Sequence, residues 1–184
     1  MKLQWKSRLH RMVAAGVFAA LLAVLSQISI PLPTGIPVTL QTFAVALCGF
    51  ALGPGLGAAA VGVYLALGAV GVPVFAGFSG GIGSFVGMTG GYLWAFLPMA
   101  FLCGLGARQK NRALALTVGF LGLVICHLCG SFQFALVSAV SPWNAFLLAS
   151  APYLLKDAAS LVAAYLAAAA ILRSLEKARL VTLV

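Results

Sequence analysis

Residues 12–107 carry no charged side chain, and residues 113–172 carry only two, the adjacent Lys156 and Asp157. A soluble globule with uncharged stretches this long would have nothing to cover its surface. A bilayer, by contrast, accepts apolar helices whose backbones satisfy themselves. The chain is 63% hydrophobic and 7% charged, and it reads as an all-α integral membrane protein, one membrane domain over residues 1–184. The other charges fall in three clusters: Lys2, Lys6, Arg8 and Arg11; Arg108, Lys110 and Arg112; and Arg173, Glu176, Lys177 and Arg179. A net charge of +9 could suit nucleic acid. Its placement on the flanks of apolar segments is instead the positive-inside pattern, so the expected partner is the lipid bilayer and not nucleic acid.

If all three basic clusters are cytoplasmic, the chain crosses an even number of times between each pair. At about 20 residues per span, somewhat fewer for short helices inside a bundle, residues 12–107 hold four crossings and 113–172 hold two. Six transmembrane helices follow, with both termini in the cytoplasm. The basic start could pass for a signal peptide, but no small-residue cleavage site follows it before "PLPTG", so it is taken as the lead of the first helix.

Proline and glycine punctuate this plan. Helices are expected at about 12–30, 39–54, 55–72, 91–107, 113–140 and 152–172, with breaks at "PLPTGIP", "LGPGLG" and Ser141–Pro142. Residues 143–172 make about 45 Å of helix at about 1.5 Å per residue, too long for a hydrocarbon core of about 30 Å. Pro152 offers a break, with Ser150 as the expected cap of the last helix and residues 143–150 as an interfacial helix anchored by Trp143. Lys156 and Asp157 then lie in the first two turns of helix six, in the outer half of the membrane. Charges in a span are held there for a function by default, which makes them the first candidate site.

Two long segments share that outer side. Residues 31–42 bring Thr34, Thr39, Gln41 and Thr42; residues 73–92 bring seven glycines with Ser79, Ser84, Thr89 and Tyr92. A Gly-rich segment between apolar helices lets backbone groups line a cavity; the alternative is a loose external linker, which the interleaved Phe75, Phe78, Ile82, Phe85 and Val86 argue against. The pieces converge on an outward-facing cup with an apolar wall, a few hydroxyls and amides, and one Lys–Asp pair. It suits a small, mostly uncharged molecule bearing one carboxylate.

The run from "IPVTLQ" through "LGPGLGA" and "GVPVF" to "TGGYL", residues 36–93, resembles the BioY family, the biotin-binding S-components of energy-coupling-factor (ECF) vitamin transporters. The resemblance extends more weakly to the last helix. It implies a membrane-embedded capture subunit in the plasma membrane of a prokaryote, taking biotin from outside. It also implies docking on a transmembrane scaffold subunit driven by two cytoplasmic ATPase subunits. The chain has no G-x-x-x-x-G-K-[ST] phosphate loop of its own, as expected of such a subunit. The resemblance implies biotin as the transported ligand and no cofactor.

The family's last helix typically carries D-x-x-K after a Pro-aromatic start. In "PYLLKDAAS" Pro152, Tyr153 and Asp157 match, but Ser160 occupies the lysine's place. Lys156 lies four residues earlier, about 40° around the helix and one turn outward. The resemblance implies that Lys156 meets the biotin carboxylate and Asp157 accepts from the ureido N–H groups. A Lys–Asp pair that only fixes packing is the alternative; adjacent residues do not face each other on a helix, which weighs against it. The resemblance also places a ligand contact in the loop at Ser79, Gly80 and Gly81. Thr39 and Gln41 offer the donors and acceptors a ureido ring needs. Tyr64 and Tyr92 are candidates to stack on or cap the ring, or else plain packing residues. On the first helix the small residues Ala15, Ala19 and Ala23 recur every four residues, a face that permits close approach. In the family a similar pattern docks the scaffold subunit; an internal helix contact explains the spacing as well.

Cys126, His127 and Cys129 lack zinc-site spacing and read as ordinary buried cysteines and one hydrogen-bonded histidine, with no metal. No Ser/His/Asp arrangement appears, and two acidic residues in the whole chain leave no paired-carboxylate chemistry, so an enzyme is not expected. The other readings are an S-component for another small vitamin, or a stand-alone channel or facilitator. A channel should repeat polar positions along several helices, whereas here they gather at one end.

Overall fold

The computed structural model describes residues 3–5, 7–32 and 35–183; Thr34 lies outside them. Eight α-helices follow in order: α1 Arg8–Ser26, α2 Gln41–Leu52, α3 Pro54–Ala69, α4 Gly83–Val86, α5 Gly90–Ala107, α6 Arg112–Ser138, α7 Pro142–Ala149 and α8 Leu154–Lys177. Two short antiparallel ribbons are also present among the described residues. β1 Leu3–Trp5 pairs with β4 Val181–Leu183, bringing the two ends of the chain together, and β2 Ser29–Ile30 pairs with β3 Val38–Thr39.

Helix ends follow local chemistry. Ser7 caps α1 by accepting from the His10 N–H at 3.2 Å, and Asn111 caps α6 by accepting from Ala113 N–H at 2.8 Å. Pro54 and Pro142 open α3 and α7, where a missing N–H is harmless. The turn between α2 and α3 runs through Gly53 at φ +81°, a conformation that glycine adopts without strain.

α1, α5, α6 and the stretch Pro142–Lys177 are long and apolar enough to cross a membrane. At 12 and 16 residues, α2 and α3 reach only about 18 and 24 Å. α2 is enclosed by α1, α3, α5 and α8, and all its residues except Phe43 are buried. Buried on every side, it needs no distinct apolar face, and its sequence shows none. Helices come close where side chains vanish: a Cβ at Gly49 on α2 would stand 2.3 Å from the Ala100 carbonyl of α5, and one at Gly91 on α5 2.2 Å from the Cys129 carbonyl of α6.

Two expectations are corrected. α1 stops at Ser26, not at residue 30, because residues 29–30 leave the helix to pair with 38–39. Ser150 does not cap the last helix with its side chain; that hydroxyl is taken up by α5 and α6. The Ala15, Ala19 and Ala23 face turns inward: Ala19 is buried and Ala15 and Ala23 pack against the core. Ala15 and Ala23 stay half-buried, and the exposed small residues of α1 are Gly16 and Ala20.

The Gly-rich segment is held in place by two glutamines. Gln27 Nε2 donates to the Val74 and Phe75 carbonyls at 3.0 and 3.2 Å while its Oε1 accepts from Phe78 N–H at 2.9 Å. Gln133 Nε2 donates to the Phe85 and Gly87 carbonyls at 2.7 and 2.8 Å. Phe75 lies buried over Gly68. These ties answer the backbone groups that a loose linker would leave to solvent.

Candidate functional site

A cavity of about 270 Å³ opens where β3, the start of α2, the Gly-rich segment, α5, α6 and the start of α8 converge. Thr39, Gln41 and Thr42 form one wall; Phe75, Ser79, Ser84 and Thr89 come from the Gly-rich segment; Tyr92, Leu93 and Phe96 from α5; His127 from α6; and Tyr153, Lys156 and Asp157 from the corner entering α8. Most of the wall is buried, Ser79 being exposed.

Lys156 and Asp157 pair directly, Nζ against Oδ1. This corrects the expectation that neighbours on a helix turn apart: the four-carbon stem of lysine folds back far enough for Nζ to reach the adjacent carboxylate. Nζ also donates to the Thr39 carbonyl at 2.8 Å, joining α8 to β3. The Lys156 side chain keeps 31% of its surface exposed, against 7% for Asp157, so the ammonium sits at the mouth and the carboxylate deeper.

Asp157 has a further partner that the sequence reading left out. His127 Nε2 lies 3.2 Å from Asp157 Oδ2, near enough for an ion pair although not aligned as a hydrogen bond. His127 Nδ1 faces Ser150 Oγ at 3.0 Å, and Ser150 in turn meets Ser131 Oγ at 2.6 Å and the Tyr92 hydroxyl at 3.0 Å. Tyr92 donates to the Ala149 carbonyl, and its ring stands edge-on to the imidazole at 6.0 Å. A buried chain of polar groups therefore runs from α5 through α6 and the α7–α8 corner to Asp157. Such chains hold their members in place when each is satisfied. Its signal in the sequence was a third ionisable residue inside a span, masked by the two cysteines beside it. In the fold Cys126 is buried toward the Tyr92 carbonyl while Cys129 is exposed, so the three side chains do not converge.

Of the residues singled out from the sequence, Thr39, Gln41, Ser79, Tyr92, Lys156 and Asp157 are brought to one cavity. Gly80, Gly81 and Tyr64 are not among its lining residues. Gly81 donates its N–H to the Gly68 carbonyl at 2.6 Å, and a Cβ at Gly80 would meet the Val72 carbonyl at 2.5 Å; both shape the loop. Tyr64 is wholly buried behind Gln41, whose Nε2 donates to its hydroxyl at 2.8 Å, with Ser26 Oγ at 2.9 Å on the far side. Tyr153, matched in the sequence only as part of the Pro-aromatic start, donates to the Ile36 carbonyl at 2.6 Å and ties the 35–39 segment to the start of α8. The cavity thus offers one ammonium, one carboxylate, an amide, several hydroxyls and an aromatic wall.

The family model described as BioY matches residues 1–177. The chain is 43% identical over 141 residues to a probable biotin transporter BioY of Pyrococcus horikoshii, covering 77% of this chain and 83% of that one. It is 46% identical over 125 residues to the biotin transporter BioY of Thermotoga maritima, covering 67% and 73%. Among solved structures it is similar to the S-component for biotin from an ECF-type ABC transporter, with a TM-score of 0.80, 26% identity and 92% of each chain covered. Matched by its family model over almost its whole length and by close relatives over most of theirs, the chain belongs to the BioY family.

Proposed function

We propose that this chain is the substrate-binding membrane subunit for biotin uptake, capturing biotin outside the cell and delivering it through an ATP-driven ECF module. The relatives are biotin transporters and the structural neighbour is a biotin S-component. The observation that carries the site is the cavity in which Lys156 and Asp157 stand beside Thr39 and Gln41. Lys156 at the mouth meets the carboxylate of the valeryl tail. Asp157, deeper, accepts from a ureido N–H, while Thr39, Gln41 and Ser79 supply further hydrogen-bond partners and Tyr92 an aromatic wall. The chain is a transport subunit and not an enzyme. It is a single multi-pass domain of the prokaryotic plasma membrane with six crossings, α1, α2, α3, α5, α6 and α8. Both termini are cytoplasmic and the cavity faces out. The three basic clusters and the β1–β4 pairing of the chain ends support that topology. The module comprises a transmembrane scaffold subunit and two cytoplasmic ATPase subunits.

The test is equilibrium binding of biotin to the detergent-purified chain, with Lys156→Ala and Asp157→Ala beside it. Each variant should lose at least about tenfold in affinity, the equivalent of roughly 1.4 kcal/mol. Unchanged affinity in both would remove the site assignment; no binding by the parent chain would remove the function.

A further inference from the structure

We infer that capture of a monocarboxylate ligand at this site draws one proton from water onto His127. The inference rests on the reading of the cavity as a biotin site. Lys156 and Asp157 balance each other, and no other cationic side chain is found in the cavity wall among the described residues. A ligand carboxylate that takes Lys156 therefore leaves Asp157 without its counter-ion, and an uncompensated buried charge is strongly unfavourable. The two carboxylate oxygens are already divided between two partners: Oδ1 faces Lys156, and Oδ2 faces His127 Nε2 at 3.2 Å. Protonation of His127 restores neutrality at the oxygen that Lys156 does not use.

The surroundings of the imidazole suit both protonation states. In the neutral ring with hydrogen on Nε2, Nδ1 accepts the Ser150 hydroxyl hydrogen at 3.0 Å. In the charged ring Nδ1 must donate, so the Ser150 hydrogen needs another acceptor. The His127 carbonyl stands 3.3 Å from Ser150 Oγ, in place to receive it. The proton comes from water and goes to Nδ1, the Ser150 hydrogen turns from Nδ1 to that carbonyl, and no other bond is made or broken. The titratable groups around the ring are Asp157 and Lys156 of α8, Tyr92 of α5 and Tyr153 at the α7–α8 corner, with the buried Cys126 next to it in α6. Histidine is the side chain among these types that ordinarily changes charge near neutrality.

The experiment is titration calorimetry of biotin into the purified chain near pH 7.5, in buffers of differing ionisation enthalpy. Biotinamide, which lacks the carboxylate, and the His127→Gln variant are run in parallel. Biotin should bind with uptake of up to one proton. Its affinity should fall as the pH rises, by at most about tenfold per pH unit, because the bound state holds the extra proton. Biotinamide binding to the parent chain, and biotin binding to His127→Gln, should take up none. Biotin binding to the parent chain without proton uptake, or uptake that persists in His127→Gln, overturns the linkage and leaves the functional reading intact. Failure of biotin to bind the parent chain overturns both.

Discussion

Gln41 reaches the cavity wall with both ends of its amide engaged: Oε1 accepts from Thr39 Oγ1 at 3.1 Å and Nε2 donates to Tyr64. The phenol of Tyr64 therefore orients a wall residue without touching the cavity. Tyr64→Phe leaves the Gln41 N–H without that acceptor in a fully buried setting, a loss of about 1–3 kcal/mol. It should appear as a lower melting temperature in detergent together with weaker biotin binding; a drop in neither would mean that the Gln41–Tyr64 contact contributes nothing. At this scale the sequence was informative wherever a side chain is costly in lipid. Lys156 and Asp157 stood out for that reason. The role of Tyr64 did not, since a tyrosine in an apolar helix looks the same whether its hydroxyl meets a ligand or a glutamine. His127 was legible as an ionisable residue in a span, but its pairing with Asp157 depends on α6 lying beside the start of α8.

Close contact between α5 and α6 positions Tyr92 and His127 relative to each other. Gly91 approaches the Cys129 carbonyl, and Tyr92 lies over Gly130, where a Cβ would fall 2.2 Å from the ring. Gly91→Ala sets a methyl group against backbone that cannot swing away, and should destabilise the protein by roughly 1–3 kcal/mol or more. Gly16→Ala on α1 meets nothing within 4 Å and should be neutral or slightly stabilising, alanine being the better helix former. Thermal unfolding in one detergent compares the two; equal melting temperatures would contradict the close-packing account. Prolines and glycines make breaks between elements readable, because their backbone limits are local. The β2–β3 ribbon was not readable, nor was the partner of the Ala15, Ala19 and Ala23 stripe. A stripe of small residues states that something comes close, and only the neighbouring helices state what.

Across the whole molecule, the proposed topology puts Ser141 outside the cell and Lys110 inside; both residues are exposed. Single cysteines at these positions, with Cys129 replaced by Ser, are expected to react differently with a membrane-impermeant maleimide on intact cells. Ser141→Cys should label directly and Lys110→Cys only after permeabilisation; the reverse pattern would invert the topology. Cys48, Cys103 and Cys126 are buried and should stay silent. Charge distribution by itself determined that this is a helical membrane protein with its polar chemistry gathered toward one end of the helices. Desolvating charge is unfavourable wherever it occurs, and a linear map records that directly. Tertiary structure alone decided that a 12-residue helix can lie sealed at the centre, that the Gly-rich segment is pinned by Gln27 and Gln133, and that Asp157 is shared between a lysine and a histidine. Each of these depends on contacts between residues far apart in the chain, and periodicity along one helix carries no record of the helix that will lie beside it.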